Sequence, residues 1–86
     1  MSTSPIEHRP LARSVVVSDD DLTVHLADGR AISVPLVWFP RLLGATPAAR
    51  ANWEILGDGE GIHWPDADED LSVEGLLGGN RAKGAA

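Results

Sequence analysis

The sequence contains no cysteine and no tyrosine, and it has only one phenylalanine and one methionine among 86 residues. Without cysteine the chain can form neither a disulfide framework nor a thiolate metal site. A chain this short is expected to form one domain, and its stability then depends on a small apolar core or on a partner subunit. Association into a homodimer is one way to supply that partner.

Long apolar runs are also missing. No stretch approaches the roughly 18 consecutive apolar residues of a membrane span. The first residues, Met1 to Pro5, lack the basic and apolar regions of a signal peptide. The sequence therefore predicts a cytoplasmic protein without a membrane partner.

Basic residues are absent from residues 51–80, which carry eight of the thirteen acidic residues of the chain. The formal net charge of the chain is -6; residues 1–50 carry five acids against five arginines, so the negative charge is concentrated in residues 51–80. Such a surface repels the phosphates of nucleic acids and attracts a basic protein. We therefore expect a basic protein partner and no direct binding of nucleic acid.

Hydrophobic periodicity divides the chain into a flexible arm (1–12), a single domain (13–78) and a flexible tail (79–86). Within the domain, a β-branched run and two stretches of alternating apolar residues predict a three-stranded meander, in the segments 15–17, 22–26 and 32–34. A three-residue loop from Ala27 to Gly29 sets Val24 opposite Ile32, which keeps the apolar residues on one face.

Short helices and one further hairpin are predicted after the meander. One helix is expected to start near Val37 and end at Gly44, and Thr46 is expected to cap a second. Residues 53–56 and 61–64 flank a glycine-rich turn and predict a hairpin, and Ser72 is expected to cap a last turn through residues 73–77. The fold class is α+β: a small antiparallel sheet, built from the meander and this hairpin, packed with two or three short helices.

Large aromatic rings beside prolines are typical of a packed core. We expect them to form one cluster against the apolar face of the meander, with the members Trp38, Phe39, Leu42, Trp53 and Trp64 on one side and Val15, Leu22, Val24, Ile32 and Val34 on the other.

The acidic run near residue 70 is the candidate binding site. We expect its carboxylates to stay exposed, with no cation nearby in residues 50–80, and to form a partner-binding edge with two acids of the preceding turn. The predicted site residues are Asp66, Asp68, Glu69, Asp70, Asp58 and Glu60.

Catalytic and metal-binding chemistry is less well supported by the sequence. The spacing of Asp66, Asp68 and Asp70 resembles the start of a calcium loop, but Leu71 and Leu77 stand where that loop needs glycine and glutamate. A looser magnesium or manganese site that adds His63 stays open. No nucleophile motif or phosphate-binding loop is present, so we expect neither an enzyme nor a cofactor.

Several long motifs, in the right order, resemble the bacterial domain-of-unknown-function family 2442. The motifs are Leu26 to Arg30 with Ile32 to Leu36, Trp38 to Leu42, Ala45 to Pro47, Asn52 to Glu54, Gly61 to Asp66 and Asp68 to Leu77. The resemblance implies a small α+β protein of bacteria and mobile elements. It also implies that some members of the family are fused to a helix-turn-helix domain, and that their genes often lie beside another small gene in arrangements that suggest toxin–antitoxin pairs.

Two functions are expected from these observations. The first is a non-enzymatic interaction module, the antitoxin-like partner of a basic protein in a two-gene system. The second is an acidic inhibitor of the phage type, an anti-CRISPR or nucleic-acid mimic that blocks a nucleic-acid-binding complex.

Overall fold

Two three-stranded antiparallel sheets form the framework of the domain in the computed structural model, which describes residues 10–79. The strand orders are β1-β2-β3 and β4-β5-β6, and short helices connect and flank the sheets. The elements are β1 (Ala12–Val17), β2 (Asp21–Leu26), β3 (Ala31–Pro35), a 3-10 helix (Leu36–Trp38), α1 (Pro40–Leu43), α2 (Pro47–Ala51), β4 (Glu54–Leu56), β5 (Gly61–Trp64), β6 (Glu69–Ser72) and α3 (Val73–Leu77). The predicted α+β class is confirmed.

The register of the first sheet confirms the predicted three-residue loop. Val24 pairs with Ile32, and Leu22 pairs with Val34. Gly29 closes the loop with φ +96°, a conformation that residues with a side chain rarely adopt. The buried apolar residues Val15, Leu22, Val24 and Val34 consequently share one face, whereas Val16 lies on the other and is exposed.

The single helix predicted from Val37 is wrong, because the chain forms two separate helical turns there. The 3-10 helix ends at Trp38, and Phe39 leaves the helical region with φ −126° and ψ 83°. A proline clashes with a helical conformation of the residue before it, so Pro40 prevents Phe39 from continuing the turn. Pro40 then begins α1, which ends at Gly44 as predicted.

Both predicted N-caps are confirmed. The Thr46 side chain accepts a hydrogen bond from the Ala49 amide at 3.1 Å, and Ser72 accepts one from the Gly75 amide at 2.9 Å. Each hydroxyl satisfies a backbone donor that a helix leaves unpaired at its start.

One apolar core joins the two sheets and contains the predicted aromatic cluster. Trp64, Phe39 and Leu42 are fully buried, whereas Trp38 and Trp53 are partly buried at its margin. The core also holds the predicted sheet residues Val15, Leu22, Val24 and Val34, with Ile32 packed against it.

The further hairpin predicted after the meander is confirmed as β4 and β5, but a third strand follows it. Residues 69–72 form β6 and pair with β5, with Glu69 opposite Trp64 and Asp70 opposite His63. Acidic residues are depleted in strands, so the run suggested a loop. The alternation of buried Glu69 and Leu71 with exposed Asp70 and Ser72 is nevertheless that of a half-buried strand.

The first strand starts one residue before the domain boundary predicted at residue 13. Ala12 begins β1, and its amide donates to the Gly59 carbonyl oxygen at 2.7 Å, which links the two sheets. The Ala27 amide donates to the Leu11 carbonyl oxygen at 2.8 Å. The rest of the predicted arm (1–9) and most of the predicted tail (80–86) lie outside the described residues.

Candidate functional site

The six predicted site residues do not form one edge. Asp58 and Glu60 lie in the turn between β4 and β5, whereas Asp66 and Asp68 lie in the turn between β5 and β6. Successive turns of an antiparallel sheet lie at opposite ends of it. The second sheet therefore carries exposed carboxylates at both ends, with Asp70 between them on β6.

Glu69 departs from the prediction because its side chain faces the protein interior. The residue is only 6% exposed, and its Oε1 lies 4.0 Å from Nη1 of Arg41. Its Oε2 is buried and has no hydrogen-bond partner within residues 10–79. Burial raises the pKa of the Glu69 carboxyl above its ordinary value, and the Arg41 charge partly opposes that rise. The expectation that Glu69 is exposed is wrong, because its side chain packs inward beside Arg41.

The turn between β5 and β6 is held by residues from the helical segment. Arg41 donates to the Asp68 carbonyl oxygen at 2.5 Å and lies 3.8 Å from the Asp68 carboxylate. Asn52 donates from its side-chain amide to Asp66 at 3.0 Å. Asp68 adopts φ +52°, in the left-handed region that aspartate tolerates better than most residues with a side chain. The cation that contacts the acidic run is Arg41, which lies outside residues 50–80, where no cation was expected.

A polar row crosses the outer face of the second sheet. Glu54 on β4 pairs with His63 on β5, and His63 pairs with Asp70 on β6. Nδ1 of His63 forms a short hydrogen bond with Oδ1 of Asp70. This hydrogen bond is the main cause that raises the pKa of His63 above its ordinary value of 6.5, with smaller contributions from the Asp70 and Glu54 charges against the cost of burial.

An open groove lies beside this polar row on the second sheet. It has a volume of about 490 Å³ and is lined by Leu56, Gly57, Glu60, Gly61, Asp70, Leu71 and Ser72. Gly61 contributes no side chain, and Leu56 lies over it: a Cβ built on Gly61 would come within 3.4 Å of the Leu56 Cδ1. Leu56 is itself 39% exposed. The groove thus combines an apolar wall with carboxylates.

Sequence reasoning missed Glu54 and Leu56 as candidate site residues. The signal was present in the alternation of β4, in which Ile55 points inward to the core and its two neighbours point outward. Because the predicted hairpin had no assigned register, the alignment of Glu54 with His63 could not be read from it.

The metal site left open by the sequence is not assembled in residues 10–79, where no three His, Asp or Glu side chains lie close enough to share an ion. His63 pairs with Asp70, while Asp66 binds Asn52 at the end of the sheet.

Within residues 10–79, no helix is both long enough and apolar enough to span a bilayer. What the arrangement offers chemically is a set of exposed anions, which attract cations.

Two solved structures are similar to this chain over 91% of its length. A protein of unknown function from Rhodospirillum rubrum has 32% identity and a TM-score of 0.75, with 96% of that chain covered. An uncharacterized protein from Chromobacterium violaceum has 30% identity and a TM-score of 0.73, with 72% of that chain covered. None of the curated proteins matches this sequence. Residues 12–82 match the model of the family described as Protein of unknown function (DUF2442), and the chain belongs to that family.

Proposed function

We propose that this protein is a non-enzymatic interaction module that binds a basic protein in the cytoplasm, as the antitoxin-like member of a two-gene bacterial or mobile-element pair. The observation that supports this proposal is the distribution of exposed carboxylates on the second sheet. They occupy both of its ends and its outer face, and Arg41 is the only arginine seen to contact any of them in residues 10–79.

The charge balance of the described residues supports a cationic partner. Residues 10–79 contain twelve acidic residues and four arginines. Arg30 and Arg50 form ion pairs with Asp28 and Asp19 in the first half of the chain, at 2.8 and 2.9 Å. These pairs occupy two of the four arginines away from the second sheet, where Glu54, Asp66 and Asp70 form no ion pair with an arginine of residues 10–79. Such a surface accelerates encounter with a basic protein and disfavours anionic lipids and nucleic acids.

The test is affinity purification of the tagged protein from its native host, with identification of the bound protein by mass spectrometry. We expect a small basic protein encoded in the adjacent reading frame. Its association rate, measured by surface plasmon resonance at two salt concentrations, should fall as salt increases. Unrelated neighbouring genes, together with binding that does not depend on salt, would contradict the proposal.

A second function, an acidic inhibitor that mimics nucleic acid, is favoured by the same carboxylates because they run from one end of the second sheet to the other. Asp58 lies at one end of the sheet, Asp68 lies at the other end, and Asp70 lies on the face between them. A mimic of this kind should compete with DNA or RNA for a host nucleic-acid-binding complex. Competition by the purified protein in a filter-binding assay would favour this function over the antitoxin-like one.

A further inference from the structure

We propose that the outer face of the second sheet, at the groove between Leu56 and Asp70, binds arginine side chains presented by the basic partner. This inference rests on the proposed function and gives it a location and a chemistry. It moves the binding surface from the turn of Asp66 and Asp68, where the sequence placed much of it, to the middle of the sheet.

The groove matches the two parts of an arginine side chain. The exposed Leu56, which covers the backbone of Gly61, forms an apolar wall for the aliphatic stem. Asp70, with 71% of its side chain exposed, lies at the groove with one carboxylate oxygen bound to His63. Its other oxygen is available to the guanidinium, which prefers planar pairing with carboxylates.

Charge complementarity identifies the occupant as cationic. Glu54 and Asp70 flank His63 on the face, and residues 51–79 contain no lysine or arginine. By contrast, the turn of Asp66 and Asp68 already has partners in Asn52 and Arg41. Within residues 10–79 no arginine forms an ion pair with Glu54 or Asp70, whereas Arg41 contacts Asp68, so His63 is the cation that competes with a guanidinium on the face.

His63 makes this face sensitive to pH. When the imidazole is protonated, its charge pairs with Asp70 and repels an incoming guanidinium. The titratable groups that face it across the sheet are Glu54 on β4 and Asp70 on β6. Loss of the imidazole proton frees both carboxylates for the partner, so arginine binding should strengthen as the pH rises through the His63 titration.

The test uses NMR titration of the full ¹⁵N-labelled chain with a capped peptide of alternating arginine and valine. A peptide with glutamate in place of arginine is the control. We expect amide shifts concentrated at residues 56, 61, 63, 70 and 72, and stronger binding at pH 8 than at pH 5.5. A matched pair of variants removes two charges at each place: Glu54→Gln with Asp70→Asn on the face, and Asp66→Asn with Asp68→Asn in the turn.

The face variant should weaken peptide binding by about fivefold, the range of exposed ion pairs, and the turn variant should change it little. Amide shifts confined to residues 66–68, together with weaker peptide binding in the turn variant alone, would overturn the assigned location while leaving the proposed function intact. Equal weakening by both variants, or equal binding of the glutamate peptide, would show unspecific attraction and also overturn it. If the co-purified basic partner binds but the arginine peptide does not, the arginine assignment is wrong and the proposed function stands.

Discussion

The indole Nε1 of Trp64 donates a buried hydrogen bond to the backbone carbonyl oxygen of Arg50 at 3.0 Å. This contact connects the end of α2 to the centre of the second sheet. It also explains how a polar ring atom is accommodated in a fully buried tryptophan, since buried polar groups are costly unless they are paired.

Replacement of Trp64 by phenylalanine should therefore be strongly destabilising. The change leaves the Arg50 carbonyl without its buried donor and opens a cavity, at a combined cost of about 2 to 4 kcal/mol. Urea unfolding followed by circular dichroism measures the loss. Trp53→Phe is the matched control, because Trp53 is only partly buried and should lose about 1 kcal/mol or less. Equal losses in the two variants would contradict the role given to the hydrogen bond.

Arg50 is predicted to be a structural residue that lysine cannot replace. Its guanidinium donates to the carbonyl oxygens of Leu42 and Leu43 at the end of α1, at 3.0 and 2.9 Å, and to the Asp19 carboxylate at 2.9 Å. A lysine ammonium lacks the planar fork that reaches all three, so Arg50→Lys should cost about 1 to 3 kcal/mol.

The Asp19→Asn variant removes the ion pair of Arg50 but keeps its hydrogen bonds to the two carbonyl oxygens, so it measures the contribution of the ion pair alone. The Asp19 side chain is 93% exposed, so its loss should cost less than about 1 kcal/mol. Thermal unfolding of both variants tests whether Arg50→Lys lowers the melting temperature more than Asp19→Asn does. A melting temperature for Arg50→Lys equal to that of the wild type would show that the carbonyl contacts do not stabilise the fold.

Gly59 is predicted to be required for the junction of the two sheets. It has φ +119°, and a Cβ at this position would lie 2.8 Å from the Ala12 carbonyl oxygen. Gly29 has a similar φ of +96° but nothing within 4 Å of a built Cβ. Both alanine variants should lose about 1 to 3 kcal/mol from backbone strain. Gly59→Ala should lose clearly more in chemical unfolding, because β1 must also move; equal losses would count against the close approach.

The sequence allowed the first sheet to be predicted in detail, because a loop of defined length and an apolar alternation determine the register of Val24 and Ile32. The candidate site could not be predicted to the same depth. The inward orientation of Glu69 depends on β6 pairing with β5 and on Arg41, a residue distant in sequence. Tertiary contacts of this kind override the local tendency of an acidic run to form a solvated loop.

Glu69 should make the protein less stable as the pH rises. Burial raises the folded-state pKa of this carboxyl above its ordinary value of 4.5, so the folded state retains a proton that the unfolded state has lost. Stability therefore falls as the pH increases from the unfolded value through the raised folded value. Glu69→Gln should flatten this part of the pH profile in urea unfolding, whereas the exposed Glu74→Gln should preserve it. A profile unchanged by Glu69→Gln would contradict the assignment.

His63 should show the opposite linkage through its hydrogen bond to Asp70. The bond raises the folded-state pKa of His63 above 6.5, so the interaction stabilises the fold fully below that value and is lost as the pH rises through the raised pKa. Asp70→Asn should lower the pKa of His63 in an NMR titration of the imidazole protons and reduce stability only on the acidic side. Asp66→Asn, which removes an equal charge from the turn, should leave the His63 titration nearly unchanged. An equal decrease of the His63 pKa in both variants would mean that general charge, and not the bond to Asp70, controls its protonation.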